Sequence, residues 1–523
     1  MTRDVRTWPL RLLGLGVAAL VAVPVATVLS HWLAPEPEIW AHLSAHVLPG
    51  LLANTAWLVA GVALLAGGLG VSLAWLTATC RFPGSRAFRW GLMLPLAVPA
   101  YVLAFVQVGL FDFTGPVQTL LREWFGAGLR VPPVRSVGGA VVVLSLATYP
   151  YVYLLARNAF DRQGQRGLEV AQSLGLGPWH AFWQVSLPMA RPWIASGLLL
   201  ALMETLADFG AVYILGVDTF TTAIYKSWFS LFSLPAANQL AALLVLLAVV
   251  LMLGERAQRG ERRYSDRHAG LQSQPRQLHG WPALAASTYC GAVLALAFVV
   301  PVLQLLAWAA GALDTELDLR YFEYLARSLL LASLAALLVV ALGFVVAYGE
   351  RRMADRAARW TTVVASAGYA IPGVVLAVGI YQPLQRLGSG LLAGTVTVML
   401  LALAARFMAV ALAPIGSGLQ RLSPHLEQSA RTLGEAGTGL VRRVHLPLLA
   451  GSLATAGLLV FVDVMKEMPI TLMTRPFGWD TLSVRLFELT SEGEWRRAAL
   501  PALTLVAAGL LPVTLLGRAR SVR

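Results

Sequence analysis

The sequence is short of charge. Of its 523 residues only 13% are charged, whereas 57% are hydrophobic and the mean hydropathy is +0.68. A soluble chain carries about 25% charged residues, so this composition excludes an ordinary soluble enzyme and a disordered protein. It predicts an all-α polytopic membrane protein.

Lysine and cysteine are also scarce. The only lysines are Lys226 and Lys466, and neither follows a G-x-x-x-x-G pattern, so the chain has no P-loop for ATP. The two cysteines, Cys80 and Cys290, offer neither a disulfide framework nor a metal-ligand spacing. No nucleophile–base pair or metal cluster is visible either. We therefore predict that this chain is not an enzyme and holds no cofactor or metal.

Twelve apolar segments are long enough to cross a bilayer, at about 20 residues per span. They lie near residues 11–33, 51–77, 90–111, 138–158, 193–217, 236–254, 282–310, 327–349, 361–384, 389–413, 452–475 and 498–517.

The net charge of +13 comes from arginines in alternate loops. With twelve spans these loops share one side, which the positive-inside rule makes cytoplasmic. The opposite loops are acidic or mixed, as at Glu36, Glu38 and Asp314. The pattern predicts a multi-pass protein of a bacterial inner membrane, with both termini cytoplasmic, lipid around it and no nucleic-acid partner.

The chain contains an internal repeat. Residues 97–104 match residues 370–377, and Gly70 pairs with Gly343 at the same offset of 273. Leu187-Pro188 matches Leu446-Pro447 at an offset of 259. We predict two repeats of six spans each, at residues 1–265 and 266–523. An even number of spans per repeat makes the two repeats parallel.

The loop between predicted spans four and five, and the matching loop between spans ten and eleven, carry a duplicated motif. In the first copy, near 161–192, Glu169-Val170-Ala171 precedes Gly175 and, after nine more residues, Val185-Ser186-Leu187-Pro188. In the second copy, near 417–451, Gln428-Ser429-Ala430 precedes Gly434 and then Val444-His445-Leu446-Pro447. Each copy predicts a short helix that ends at a glycine with positive φ.

This motif resembles the E-A-A-x-x-x-G-x9-I-x-L-P signature of ABC-importer membrane subunits, which have the type I importer fold. Two stretches, Met203–Tyr213 and Asp463–Leu482, are similar to the fused iron(III) transport permeases in particular. The resemblance implies that the two loops dock on two copies of a cytoplasmic ATPase, which binds ATP and Mg²⁺. It also implies a periplasmic or lipid-anchored substrate-binding protein.

The resemblance assigns ATPase coupling to matching positions of both copies. These are Glu169, Ala171, Gly175, Leu187 and Pro188, then Glu427, Ala430, Gly434, Leu446 and Pro447. The second copy departs from the signature, because Gln428 holds the aligned position and Glu427 lies one residue earlier.

Five ionisable residues fall inside predicted spans: Glu204, Asp208, Asp463, Lys466 and Glu467. A charge at membrane depth is costly, so such residues line a water-filled path or form structural pairs. Both interpretations stay open, and the carboxylate oxygens suit a hard cation such as iron(III).

Other cargoes and another class of transporter remain as alternatives. Within the same class the cargo could be thiamine, a polyamine or an inorganic anion. A secondary transporter with 6+6 repeats would use Glu204, Asp208 or Glu467 as a proton relay and would need no ATPase.

Overall fold

The computed structural model describes residues 8–33, 37–126, 128, 131–161, 177–259, 276–387, 395–435 and 437–521. Nearly all of these residues are helical. The two strands, β1 (Cys80–Arg81) and β2 (Arg276–Gln277), form one short parallel pair.

The helices of the first half of the chain, in order, are α1 (Trp8–Ser30), α2 (Pro37–His42), α3 (Leu48–Thr79), α4 (Ser85–Gly91), α5 (Ala100–Phe111), α6 (Pro116–Phe125), α7 (Val137–Ala159), α8 (Pro178–Ala181), α9 (Leu187–Ala207), α10 (Gly210–Ile214), α11 (Phe220–Phe229) and α12 (Leu234–Arg259). Those of the second half are α13 (Trp281–Leu294), α14 (Val300–Ala310), α15 (Leu313–Glu316), α16 (Leu319–Met353), α17 (Arg356–Ala367), α18 (Gly373–Leu387), α19 (Val396–Arg421), α20 (Pro424–Thr432), α21 (Thr438–Leu440), α22 (Leu446–Lys466), α23 (Pro469–Thr474), α24 (Leu482–Ser491) and α25 (Trp495–Ser521).

The repeat is visible in the helix bounds. Helix α9 spans Leu187–Ala207 and α22 spans Leu446–Lys466, at the predicted offset of 259. Helices α5 and α18 both begin at the predicted offset of 273, at Ala100 and Gly373. Equivalent sequences therefore fold into equivalent helices, which confirms the all-α fold with duplicated spans.

Ten helices of the described residues are long and apolar enough to cross a membrane, and a bent pair makes an eleventh candidate. The bend, of 116°, separates Arg356–Ala370 from Gly373–Leu384 within the predicted span 361–384. Its cause is Pro372, which lacks an N–H and forces Ile371 into an extended conformation (φ −93°, ψ 128°). The last predicted span, 498–517, lies within α25.

Two other predicted spans are interrupted. The segment 193–217 ends as a long helix at Ala207, and 452–475 ends at Lys466. A short helix follows each break, at Gly210–Ile214 and Pro469–Thr474. Continuous helices were expected here because hydropathy alone does not register the backbone turn at a single polar residue.

The residues pack into two compact units that cut across the two halves of the chain. One unit comprises residues 1–37, 224–242 and 317–485, and the other comprises 38–223, 243–316 and 486–523. The first helix of each half thus packs with later helices of the other half. The boundary at residue 265 remains a prediction, because it was drawn from the sequence repeat and these units are defined by packing.

Each unit shows how this exchange is achieved. In the first, Gly379 of α18 lets the carbonyl of Pro24 in α1 approach so closely that a Cβ would lie 2.5 Å from it. In the second, the ring of Trp308 in α14 stacks on Phe105 of α5 at 6.1 Å and covers Gly109. Small residues therefore admit the exchanged helices, as is usual for packing in membranes.

Candidate functional site

The first copy of the duplicated motif lies partly outside the described residues. Glu169, Ala171 and Gly175 fall within 162–176, and their predicted coupling role stays a prediction. Leu187 and Pro188 are described, at the start of α9.

The second copy forms a capped short helix, α20. The Ser423 side chain accepts a hydrogen bond from the N–H of His425 at the start of the helix. At its end Gly434 has φ +86°, and its N–H donates to the carbonyl of Arg431 at 3.1 Å. The N–H of Glu435 donates to the carbonyl of Ala430 at 3.0 Å, which completes a Schellman motif. The predicted glycine stop with positive φ is confirmed in this copy.

The carboxylate of Glu427 ties α20 to the end of a long membrane helix. Its Oε1 accepts hydrogen bonds from Arg351 of α16, at 2.8 Å from Nη2 and 3.1 Å from Nε. Arg351 also donates to the carbonyls of Leu419 and, at 3.0 Å, Leu422. The Nε2 atom of the buried His445 lies 3.4 Å from the same carboxylate oxygen. One arginine thus links α16, the end of α19 and α20.

Two exposed leucines lie beside this charge network, Leu426 within α20 and Leu433 directly after it. Leu433 is 85% exposed and Leu426 is 48% exposed, and they lie seven residues apart, on one face of the helix. Ala430 is buried. The helix is therefore anchored by a charge network and presents leucines beside it.

The Leu-Pro pairs mark a helical irregularity common to both copies. In the first copy a wide helical turn, Phe182–Ser186, runs directly into α9. In the second copy the equivalent turn, Val441–His445, runs directly into α22. The N–H of Leu187 donates to the carbonyl of Phe182, and that of Leu446 to Val441, so each bond spans five residues. Proline has no N–H and disturbs the regular ladder, and the wider turn lets the helix continue through it. Proline therefore stands within a continuous helix rather than at its beginning.

Asp208 lies at the break between α9 and α10. The backbone leaves the helix there, with φ −66° and ψ 131°. Oδ1 accepts a hydrogen bond from the N–H of Val212 at 3.1 Å, and the Asp208 carbonyl accepts one from Thr221 Oγ1 at 2.7 Å. The side chain therefore caps the short helix that follows.

Glu467 does the same at the break between α22 and α23. Its backbone has φ −71° and ψ 122°. Oε1 accepts from the N–H of Ile470 at 2.9 Å, and Oε2 accepts from the N–H of Thr471 at 3.2 Å. Its carbonyl accepts from Ser483 Oγ at 2.9 Å. Asp208 and Glu467 match at the repeat offset of 259, and their side chains thus have equivalent capping geometry in the two repeats.

A positive charge accompanies only Glu467. A Cβ on Gly373 would lie 3.0 Å from Glu467 Oε1 and 3.3 Å from Arg406 Nη1, so both groups lie close to this glycine. Arg406 Nη1 also donates to the carbonyl of Ile371 at 3.1 Å. At the offset of 259 its counterpart in the first repeat is Ala147.

The other three path candidates lie in the last turns of the two long helices. Glu204 belongs to α9, and Asp463 and Lys466 belong to α22; all three are half-buried. None of them takes part in the capping bonds described above.

Sequence reasoning missed Arg351 and Arg406. Arg406 had a usable signal, because it is a lone arginine inside the apolar segment 389–413. Arg351 had none, because it is one of four arginines in a loop where the positive-inside rule already accounts for arginines.

The chain is similar in sequence to known membrane transport proteins. Residues 67–259 match the sequence model of the family described as "Binding-protein-dependent transport system inner membrane component". The chain is 28% identical to the Fe(3+)-transport system permease protein FbpB 2 of Haemophilus influenzae over 473 residues, which is 89% of either chain. Over these residues the chain is similar to membrane components of binding-protein-dependent transport systems.

Shorter relatives match parts of the chain as well. The molybdenum transport system permease protein ModB of Escherichia coli is 27% identical over 186 residues, which cover 35% of this chain and 80% of ModB. The sulfate transport system permease protein CysW of Synechocystis is 28% identical over 189 residues, 35% of this chain and 67% of CysW. Both relatives are named as transport system permease proteins.

We expect Arg351→Gln to lower uptake by the permease about ten-fold, because a charged hydrogen-bond network is worth roughly 1.5–3 kcal/mol and its loss frees α20 from α16. The ratio of ATP hydrolysed to substrate transported, measured in proteoliposomes that also hold the ATPase, should rise. Arg359→Gln, at an exposed arginine of α17, is the control and should stay within about two-fold of wild type. Equal effects of the two changes would show that Arg351 is no anchor.

Proposed function

We propose that this chain is the membrane subunit of an ATP-driven importer of iron(III). Two copies of a cytoplasmic ATPase bind the two motif loops and supply ATP and Mg²⁺, so the chain itself holds no cofactor. A periplasmic or lipid-anchored binding protein delivers the cargo. Both termini lie in the cytoplasm.

The arrangement of α20 is the observation that best supports coupling to an ATPase. Leu426 and Leu433 offer an apolar face suited to a hydrophobic groove. Glu427 and Arg351 join the same helix to α16, so a displacement of α20 is transmitted directly to a membrane helix. The first copy, centred on Glu169 and Gly175, is proposed to act in the same way.

The extent of similarity favours iron(III) as the cargo. The Fe(3+) permease aligns with 89% of this chain, including both repeats, whereas ModB and CysW align with 35% each. Carboxylates are ligands that hard cations prefer. Molybdate or sulfate is the second candidate, favoured by the matches to those two relatives; nothing specific favours thiamine or a polyamine.

The first experiment is a detergent pull-down of the tagged chain, with co-purified proteins identified by mass spectrometry. We expect a P-loop ATPase. If none is recovered under conditions that keep such complexes intact, the ion-driven transporter becomes the better interpretation. Transport in inverted vesicles separates the two further, since an importer of this class stops without ATP and tolerates a protonophore.

The cargo is tested by uptake of radioactive iron(III) in cells that lack or carry the chain. We expect uptake only with the chain, and no competition from excess molybdate or sulfate. Competition by either anion, or equal iron uptake without the chain, would move the proposal to the anion importers.

We propose further that Asp208 and Glu467 belong to the translocation path, as well as capping their short helices. Asp208→Asn and Glu467→Gln keep an oxygen acceptor for the capping bonds but remove the charge. We expect each to lower iron uptake at least several-fold while the ATPase still co-purifies. Normal uptake by both variants would leave the carboxylates with the structural role alone.

A further inference from the structure

A cavity of about 490 Å³ with several polar side chains in its wall lies at the end of α3. Its walls come from the turn between α3 and α4 and from the segment that follows β2. Arg81, Arg86, Arg89, Ser85 and Gln277 supply polar side chains to it.

The backbone around this cavity is held in place by hydrogen bonds. Strand β1 pairs with β2, and the N–H of Leu278 donates to the carbonyl of Arg81 at 2.9 Å. Gly84 has φ +78°, and the N–H of Ser85 donates to the carbonyl of Phe82 at 3.0 Å, which closes a tight turn. The cavity is therefore part of the folded structure rather than a gap between loose side chains.

Positive charge around the cavity exceeds the negative charge available to it. Arg89 donates to both oxygens of Asp161 at 2.8 Å. In the part of the chain that the structure describes, no ion pair joins Arg81 or Arg86 to a carboxylate. Two guanidinium groups thus remain for an anion from outside.

The equivalent turn of the second repeat carries its own carboxylate. There Asp355 caps α17 by accepting from the N–H of Ala358 at 2.8 Å, and it forms an ion pair with Arg11 of α1. At the start of α4 the capping position is Gly84, which has no side chain to offer. The turn of the second repeat thus carries a carboxylate, whereas the capping position of the first repeat offers none.

The position of the cavity indicates what kind of anion it meets. It opens at the end of the apolar helix Pro37–Thr79, where that candidate span leaves the bilayer. Trp90 of α4 is 39% exposed, and Phe82 stacks on Phe88 at 6.2 Å. Exposed tryptophan and arginine side chains at a span end are typical of the headgroup layer, where basic pockets bind anionic lipids.

We propose that this cavity is a phosphate site, with Arg81 and Arg86 as its ligands, and that a membrane lipid with an anionic phosphodiester headgroup fills it. Planar guanidinium groups match phosphate oxygens with paired hydrogen bonds. The bound lipid would supply to this turn the negative charge that Asp355 supplies to its counterpart. This inference does not depend on the cargo of the permease.

The test is native mass spectrometry of the delipidated full-length chain, titrated with phosphatidylglycerol and separately with phosphatidylcholine. Wild type should bind phosphatidylglycerol, and Arg81→Gln with Arg86→Gln should bind it about thirty-fold more weakly, from two lost arginine contacts. Phosphatidylcholine should bind to the wild type and to this double variant with nearly equal affinity. Arg81→Lys with Arg86→Lys keeps the charge and should keep most of the affinity.

The matched control is Arg356→Gln with Arg359→Gln, because both arginines are exposed and Arg359 is the repeat equivalent of Arg86. It should bind phosphatidylglycerol like wild type. Equal affinity of the Arg81/Arg86 variant and wild type overturns the site, as does an equal loss in the control. Binding of inorganic phosphate by wild type alone, without lipid selectivity, keeps the anion site and identifies a free phosphate as its source.

Discussion

Replacing Gly175 and Gly434 together by arginine should reduce iron uptake to background. Gly434 has φ +86°, which costs a non-glycine residue about 1–2 kcal/mol. No atom lies within 4 Å of a Cβ built there, so the arginine fits without a clash and projects beside the exposed Leu433. A long charged side chain on an apolar docking face should prevent contact with the ATPase while the spans stay folded.

The measurements are uptake of radioactive iron(III), the amount of protein in the membrane, and the ATPase recovered in a pull-down. Gly493→Arg is the matched control, since Gly493 also has positive φ (+80°) and open space, but lies outside the motif loops. It should keep the ATPase bound. Normal uptake by the double variant would count against docking through these loops, and loss of ATPase in the control would trace the effect to backbone strain.

Arg406→Gln should destabilise the protein by about 3 kcal/mol, the Coulomb energy of two unit charges at most roughly 6 Å apart at an effective dielectric constant near 20. The change leaves Glu467 buried beside Gly373 without the charge opposite it. The variant should melt at a lower temperature in detergent and should transport less iron.

The double variant Arg406→Gln with Glu467→Gln gives the decisive comparison. Removing both charges should recover much of the lost thermal stability, because neither group is then buried alone. Iron uptake should stay low if Glu467 also serves the path. Additive losses of stability in the double variant would show that the two groups do not interact.

Agreement between sequence and structure is closest where the determinants are local. The apolar runs predicted membrane helices, and the duplicated motif predicted that Gly434 ends a short helix with positive φ, as it does. The breaks after Ala207 and Lys466 had weaker signals, in the nearby Gly210 and Pro469. Hydropathy counted those segments as continuous spans because a single capping carboxylate changes their average little.

By itself the sequence predicted the membrane helices, their duplication and the positions of the motif loops, since each can be read from short stretches of sequence. Only the tertiary structure decided which charges act together. Arg351 meets Glu427 from 76 positions away, and Arg406 and Glu467 both lie close to Gly373. It also decided that the first helix of each half packs with the other half. Such contacts depend on how helices distant in the chain pack together, and spacing along the sequence carries no record of that packing.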